Sequence, residues 1–225
     1  VVVLYRIICL VIGYACGLLQ TGVIYGKLAG INLKEHGSGN SGTTNALRVL
    51  GFKAGLVVFI GDYCKSFIPC MIARFIFRDN YPDTYYIYMI YIGFGAVLGH
   101  IFPFYLKFKG GKGIATIGGF ASSIMHPIFI VILLAVFVGT IAITKYMSVG
   151  SIVLMIGIAV SYVLQGVLGL TCFNVSDPYS RGVFIEGAIM VALLAALAIF
   201  KHKANIIRLK NHEENKFRFK KKEGI

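Results

Sequence analysis

The 225-residue chain is 57% hydrophobic and only 14% charged, with a mean hydropathy of +0.80. A soluble domain is about 45–50% apolar and about 25% charged; a fold of this length has no interior large enough to hide the excess, so a soluble globular protein is excluded. The 22 basic residues against 9 acids leave a formal charge of +13, which in a membrane chain reads as basic loops facing an anionic leaflet rather than as a nucleic-acid surface.

A spanning helix needs about 20 mainly apolar residues. Residues 7–26 carry no charge and make the first candidate span. The stretch is too long for a signal peptide and lacks a small-residue cleavage site. Residues 54–77 form the second, although it contains Asp62, Lys65 and Pro69. Intramembrane charge costs at least a few kcal/mol per group, so Asp62 and Lys65, three apart, read as a pair that satisfies itself. Residues 84–102 are the third span, with Tyr81, Tyr85, Tyr86, Tyr88 and Tyr91 around its start, the belt material of a chain without Trp. Residues 113–144 are uncharged throughout, ~48 Å of helix at 1.5 Å per residue, too long for one crossing. His126-Pro127 breaks the run into a short fourth segment, 114–125, and a fifth, 128–143. Residues 149–170 and 183–200 supply the sixth and seventh.

The expected fold is therefore an all-α integral membrane domain of about seven transmembrane helices over residues 1–225, ending in a basic tail, 201–225. With the N-terminus outside, the inner loops carry Lys27, Lys34, Arg48, Lys53, Lys107, Lys109, Lys112 and Lys145, and the tail adds more. The outer loops hold only Arg78 and Arg181. That asymmetry puts the C-terminus in the cytoplasm. If the fourth and fifth segments were one re-entrant excursion, five spans would remain and the C-terminus would keep its side. The five cysteines form no C-x-x-C pair, and Cys9, Cys16, Cys64, Cys70 and Cys172 read as inert thiols rather than as a disulfide or zinc site.

Three inner segments are richer in Gly, Ser, Asn and Lys than connecting loops require. The first, GSGNSGTTN at 37–45, is followed by Arg48. Its G-x-G-x-x-G match lacks the β-α-β context of a dinucleotide site, yet its glycines let backbone N–H groups converge on an anion. Ser38, Ser41, Thr43, Thr44 and Asn45 add neutral donors, and Arg48 can grip a phosphate bidentately. The second, residues 99–116, contains Gly110-Gly111-Lys112-Gly113. Leu106 and Gly113 stand where a Walker A motif needs Gly and Ser or Thr, so nucleotide hydrolysis is not supported. A Gly-rich turn feeding a helix N-terminus still favours an anion, with Lys109 and Lys112 adding charge. The third is HKANIIRL at 202–209, with Glu214 beyond. On a continuing helix His202, Asn205 and Arg208 would share a face. Ser148 meets the inner end of a span. His100 alone reads as a satisfied interfacial histidine.

These three blocks, in this order and on one expected side, resemble the motifs of the bacterial membrane-integral acyl-phosphate:glycerol-3-phosphate acyltransferases. DYCK at 62–65 and KYMSVGSI at 145–152 extend the likeness over nearly the whole chain. The resemblance implies a multi-pass enzyme of the bacterial plasma membrane with its site facing the cytoplasm. It would move a fatty acyl group from acyl phosphate to the 1-hydroxyl of sn-glycerol 3-phosphate, releasing phosphate and lysophosphatidate for phospholipid synthesis. It further implies catalytic roles for Ser38, Lys112, His202 and Asn205. Substrate-binding roles fall to Asn40, Asn45, Arg48, Gly110, Gly111, Gly113, Ser148 and Glu214, and the charge of Lys109 makes it a further expected contributor to substrate binding. Two positions depart from the family pattern: Ser66 and Asn211 stand where glycine is common.

Arg48, Lys112 and Ser148 are expected to hold phosphate groups, and Gly110 to Gly113 to offer N–H donors. Asn205 would orient the glycerol hydroxyl, with His202 and Glu214 fixing the tail. The proton acceptor is left open between a substrate phosphate and His202. No metal or cofactor is expected, because a metal-dependent phosphotransferase needs an Asp-rich motif and the four aspartates are scattered. No histidine is followed five positions later by Asp, so the H-x-x-x-x-D device of the other glycerolipid acyltransferases is missing. A transporter of a phosphorylated metabolite is the rival; it would favour internal repeats and midplane breaks, and the polar motifs instead gather at one edge.

Overall fold

The structure, a computed structural model, describes residues 2–171 and 178–217. Cys172 and the basic residues from Arg218 onward lie outside the described residues. All regular structure within them is helical: α1 (Val2–Gly17), α2 (Thr21–Leu28), α3 (Thr43–Leu50), α4 (Phe52–Phe77), α5 (Tyr85–Ile101), α6 (Ile114–Ile124), α7 (Pro127–Thr144), α8 (Met147–Val167), α9 (Pro178–Lys201) and α10 (Lys203–Lys210), with a 3-10 turn at Phe104–Leu106.

Among the described residues six stretches are long and apolar enough to cross a membrane, the first formed by α1 and α2 together. The expected fourth segment, α6, has only 11 residues, ~16 Å of helix, well short of a bilayer's hydrocarbon core. Pro127 at the start of α7 and the His126 side chain, which accepts from the Ile128 N–H, turn the chain back. The surface is what lipid requires. α7 has a mean hydropathy of 2.7, yet only 11% of it is buried. Val131, Ile132, Leu134 and Val138 project outward, so the polar environment excluded by composition is also excluded by shape. This is an integral membrane protein.

α5 is the central post, its apolar side chains almost all buried. It packs against α1 through glycines. A Cβ on Gly13 or Gly17 would strike the carbonyls of Ile92 or Ala96, and one on Gly95 or Gly99 those of Leu10 or Tyr14. Small residues four apart on both helices thus let the backbones close up, the usual device where lipid removes any hydrophobic drive between helices. Gly17→Val is expected to lower stability by about 1–3 kcal/mol, the usual overpacking range, read as an earlier melting transition in detergent.

The first span breaks at residues 18–20, and side chains from elsewhere take up two freed carbonyls: Lys65 donates to that of Leu19 (2.7 Å) and Tyr105 to that of Leu18 (2.6 Å). Gln20, within the break, donates to the His100 carbonyl of α5 (3.1 Å). The expected Asp62–Lys65 pair is present at 2.8 Å, both side chains within 3% of full burial. α9 does not continue past Lys201. His202 interrupts it, and α10 starts at Lys203. Arg6, near the start of α1, pairs with Glu186 of α9 at 2.7 Å, some 24 Å along that helix from His202. The start of α1 and the end of α9 therefore lie at opposite ends of the bundle. Cys9, Cys16, Cys64 and Cys70 are free thiols.

Candidate active site

One cavity of about 260 Å³ opens at the end of the bundle where α9 stops. Three helix N-termini reach it: α3 through Gly42, Thr43 and Thr44, α6 through Gly113, Ile114 and Ala115, and α8 through Met147 and Ser148. Each brings first-turn N–H groups without an intrahelical acceptor and the positive end of a dipole. Arg48, Lys112 and Arg208 line it as well. Of the two carboxylates facing it, Asp62 is paired with Lys65 and Glu214 with Arg208. The chamber is built for anions.

The first motif is organised by Asn45, 1% exposed. Its amide nitrogen donates to the carbonyls of Leu33 (3.0 Å) and His36 (2.9 Å), and its Oδ1 accepts from the Ser38 N–H (2.8 Å). Gly37 must be glycine, because its φ is +62° and a Cβ would collide with Asn45 Oδ1. Asn40 Oδ1 accepts from the Gly42 N–H (2.8 Å), fixing the start of α3. Arg48 stands exposed at the rim with Nη1 3.4 Å from Asn45 Oδ1, and Ser38 shares that rim.

The second motif divides. Gly110 and Gly111 spend their N–H groups on the carbonyls of Ile101 (3.1 Å) and His100 (3.2 Å). They are therefore not donors to an anion, as the sequence suggested; their missing Cβ atoms let the loop lie against His100 and Pro103. Lys109 points to solvent outside the cavity and presents its carbonyl to Lys34 Nζ (2.9 Å). Lys112 and Gly113 do line the cavity, and Gly113, at φ +86°, caps α6 in a conformation that other residues avoid.

The third motif and Ser148 form one network around Glu214. The Lys112 ammonium donates to Asn205 Oδ1 (2.5 Å) and Asn205 Nδ2 donates to Glu214 Oε1 (2.7 Å). The Ser148 hydroxyl donates to the same oxygen (3.1 Å), and Arg208 Nε to Oε2 (2.8 Å). Burial pushes the Glu214 carboxyl up, but the hydrogen bonds from Asn205, Arg208 and Ser148 outweigh it and hold it below the usual carboxylate range. Burial lowers Lys112 to about 8, against the opposing pull of Glu214. His202, 3% exposed, donates Nδ1–H to the Ala198 carbonyl (2.7 Å), so its Nε2 carries the lone pair. Burial also holds it below its ordinary value, keeping it neutral at pH 7. The segment beyond α10 folds back, with the Phe217 N–H on the Lys145 carbonyl (2.7 Å).

Sequence reasoning missed several contributors. Asp62 and His100 line the cavity, although each read as a satisfied structural group. Ser151 and Leu154 were visible only as the i+3 and i+6 partners of Ser148 on α8. The apolar walls come from Phe59 on α4 and Leu134 and Phe137 on α7. No local pattern marks them, because two helices remote in sequence make that wall.

The glycerol-3-phosphate acyltransferase family profile matches residues 7–212. Glycerol-3-phosphate acyltransferases of Bacillus velezensis and Bacillus subtilis are each 37% identical over 212 residues, covering 93% of this chain and 96% of the relative. The crystal structure of PlsY (YgiH), an integral membrane glycerol 3-phosphate acyltransferase, in its glycerol 3-phosphate form superposes with a TM-score of 0.78. It is 30% identical and covers 95% of this chain and 96% of that one. The lysophosphatidic acid form gives 0.76 at the same identity and coverage. Family profile, full-length relatives and fold agree that this chain belongs to the glycerol-3-phosphate acyltransferase family.

Proposed function

We propose that the chain, as a single transmembrane domain, transfers a fatty acyl group from acyl phosphate to the 1-hydroxyl of sn-glycerol 3-phosphate. The products are 1-acylglycerol 3-phosphate and inorganic phosphate, at the entry to phospholipid synthesis. One observation carries this reading. Residues 38–48, 112–113 and 202–214, far apart in sequence, line a single cationic cavity whose other wall is apolar. Phe59 and Leu134 in that wall are themselves 42% and 53% exposed, so an acyl chain can lie there and reach lipid sideways. The solved relative's glycerol 3-phosphate and lysophosphatidic acid forms fit the same substrate and product. The cavity end of the bundle is the cytoplasmic face of a bacterial plasma membrane, in keeping with the lysines gathered there.

An acyl phosphate is a mixed anhydride with phosphate as leaving group, so proximity and charge stabilisation suffice without metal or cofactor. Arg48, Lys112 and Ser148 hold the glycerol phosphate, with Ser38 and Asn40 at its mouth. The first turn of α6 and Gly113 receive the acyl phosphate. Asn205 orients the attacking hydroxyl, Glu214 holds Asn205, Ser148 and Arg208 in place, and Asn45 shapes the first loop. His202 Nε2 takes the hydroxyl proton as the new C–O bond forms and returns it to the departing phosphate.

Purified protein incubated with acyl phosphate and glycerol 3-phosphate should release phosphate and lysophosphatidate in equal amounts. Product from acyl-CoA but none from acyl phosphate would overturn the donor assignment; metabolite flux across proteoliposomes without product would favour a transporter. The base can be tested separately. His202 acts only when neutral, and its value lies below 6.5, so the rate should hold below that pH and fall as pH drops through the depressed value. His202→Ala should lose about 10²–10⁴-fold in kcat and lose that acidic limb; an unchanged limb excludes His202 as base.

A further inference from the structure

His100, 4% exposed at the end of α5, faces the cavity without a role in the chemistry above. Lys65 Nζ lies 2.7 Å from the Leu19 carbonyl, 2.8 Å from Asp62 Oδ1 and 2.5 Å from His100 Nδ1. An ammonium has three N–H donors and no lone pair, so three acceptors use all three protons and His100 Nδ1 must be one of them. The imidazole is then neutral, with its single proton on Nε2. The alternative, Nδ1–H given to Asp62, fails on distance, since Asp62 Oδ1 stands 3.7 Å away. The backbone is held too, because the His100 carbonyl accepts from the Gly111 N–H (3.2 Å) and from Gln20 Nε2 (3.1 Å). The ring edge lies over Gly111, where a Cβ would collide with Nε2. Nε2–H thus lies over Gly111, the neighbour of Lys112, in a side chain that lines the cavity, and among the described residues the ring's hydrogen bond is the one at Nδ1.

We propose that His100 is a catalytic hydrogen-bond donor whose Nε2–H stabilises the negative charge that builds on the acyl carbonyl oxygen, with Lys65 and Asp62 as its positioning residues. This rests on the acyl-transfer reading above. Phosphate oxygens are already charged in the ground state and are met by Arg48, Lys112 and Arg208. A neutral donor gains most where charge appears only in the transition state. The glycerol oxygen attacks the acyl carbon and forms the new C–O bond, while the carbonyl electron pair moves onto oxygen and is held by Nε2–H. The pair returns as the bond to the phosphate oxygen breaks. The hydroxyl proton passes through His202 to phosphate, and His100 keeps its own proton throughout.

His100→Phe and His100→Gln in the full chain test the assignment with acyl phosphate and glycerol 3-phosphate. His100→Phe should lower kcat by about 10²–10³-fold, with KM for glycerol 3-phosphate changed by less than about threefold. His100→Gln, which restores an N–H near the Nε2 position, should recover at least about tenfold of that loss. A kcat within about fivefold of wild type in His100→Phe, or a raised KM with kcat unchanged, overturns the proposal. If neither variant folds, the ¹⁵N imidazole signals of the wild type decide. Five histidine signals should include one locked as the Nε2–H tautomer whose Nδ1 shift responds in Lys65→Met, and its absence overturns the assignment. A wild type that makes no lysophosphatidate refutes the acyl-transfer reading and takes this proposal with it, whereas an active wild type with an indifferent His100→Phe refutes this proposal alone.

Discussion

Lys112→Met is expected to lower kcat/KM for glycerol 3-phosphate by about 10²–10³-fold, the loss of roughly 3–4 kcal/mol of transition-state stabilisation. Lys112 is the cation that couples the second motif to the third through Asn205 Oδ1. In the proposed mechanism its removal both deletes a full charge from the phosphate site and frees Asn205 to turn away from the attacking hydroxyl. The same residue sets an alkaline limit. Burial holds it at about 8, so it is charged below that pH and neutral above, and an anion is bound only by the charged form. Wild-type kcat/KM should therefore decline above about pH 8, because that ratio reports the free enzyme. Lys112→Arg, charged throughout, should be slower but should lose the decline. Initial rates of phosphate release from about pH 6 to about pH 9.5 read both effects; a decline that persists in Lys112→Arg assigns it to another group.

Asp62→Ala is expected to lose about 3–5 kcal/mol of stability, the usual result of breaking a buried ion pair from one side. Lys65, its side chain 2% exposed, would be left without its counter-ion, with only a carbonyl and an imidazole to face. Thermal unfolding in detergent measures the loss. The double variant Asp62→Ala/Lys65→Met should recover most of it, since two apolar groups leave no stranded charge. Activity should stay low in the double variant, because the Nδ1 partner that locks His100 is gone. Recovery of stability and activity together would reduce the pair to a purely structural role.

How far this was legible in sequence depends on where the signal resides. Uncharged length is local, and the second span expected at residues 54–77 is observed as Phe52–Phe77. The break in the first span is not local. Nothing at residues 18–20 forbids helix, and the interruption is sustained by Lys65 and Tyr105 reaching in from elsewhere and by Gln20 reaching out to the His100 carbonyl. The three motifs were legible as anion-binding chemistry, yet their spacing could not sort their members. Lys109 and Lys112 lie three apart in one turn, and only the left-handed Gly113 and the docking of Gly110 on α5 send one inward and the other to solvent. The glycines were read as donors because a nest and a tightly packed turn share one composition. The interruption at His202 likewise left no mark, although His202, Asn205 and Arg208 still reach the same cavity.

The return of the chain over its own pocket has a consequence for biosynthesis. Glu214 ties Asn205, Ser148 and Arg208 together, and the Phe217 amide fastens that segment to the turn after α7. The long apolar helices of the described residues all precede this segment, so they can enter the membrane while the chamber still lacks its keystone. A nascent chain on the ribosome is thus inserted before this end of the cavity is assembled, which is complete only once the segment around Glu214 has emerged and folded back.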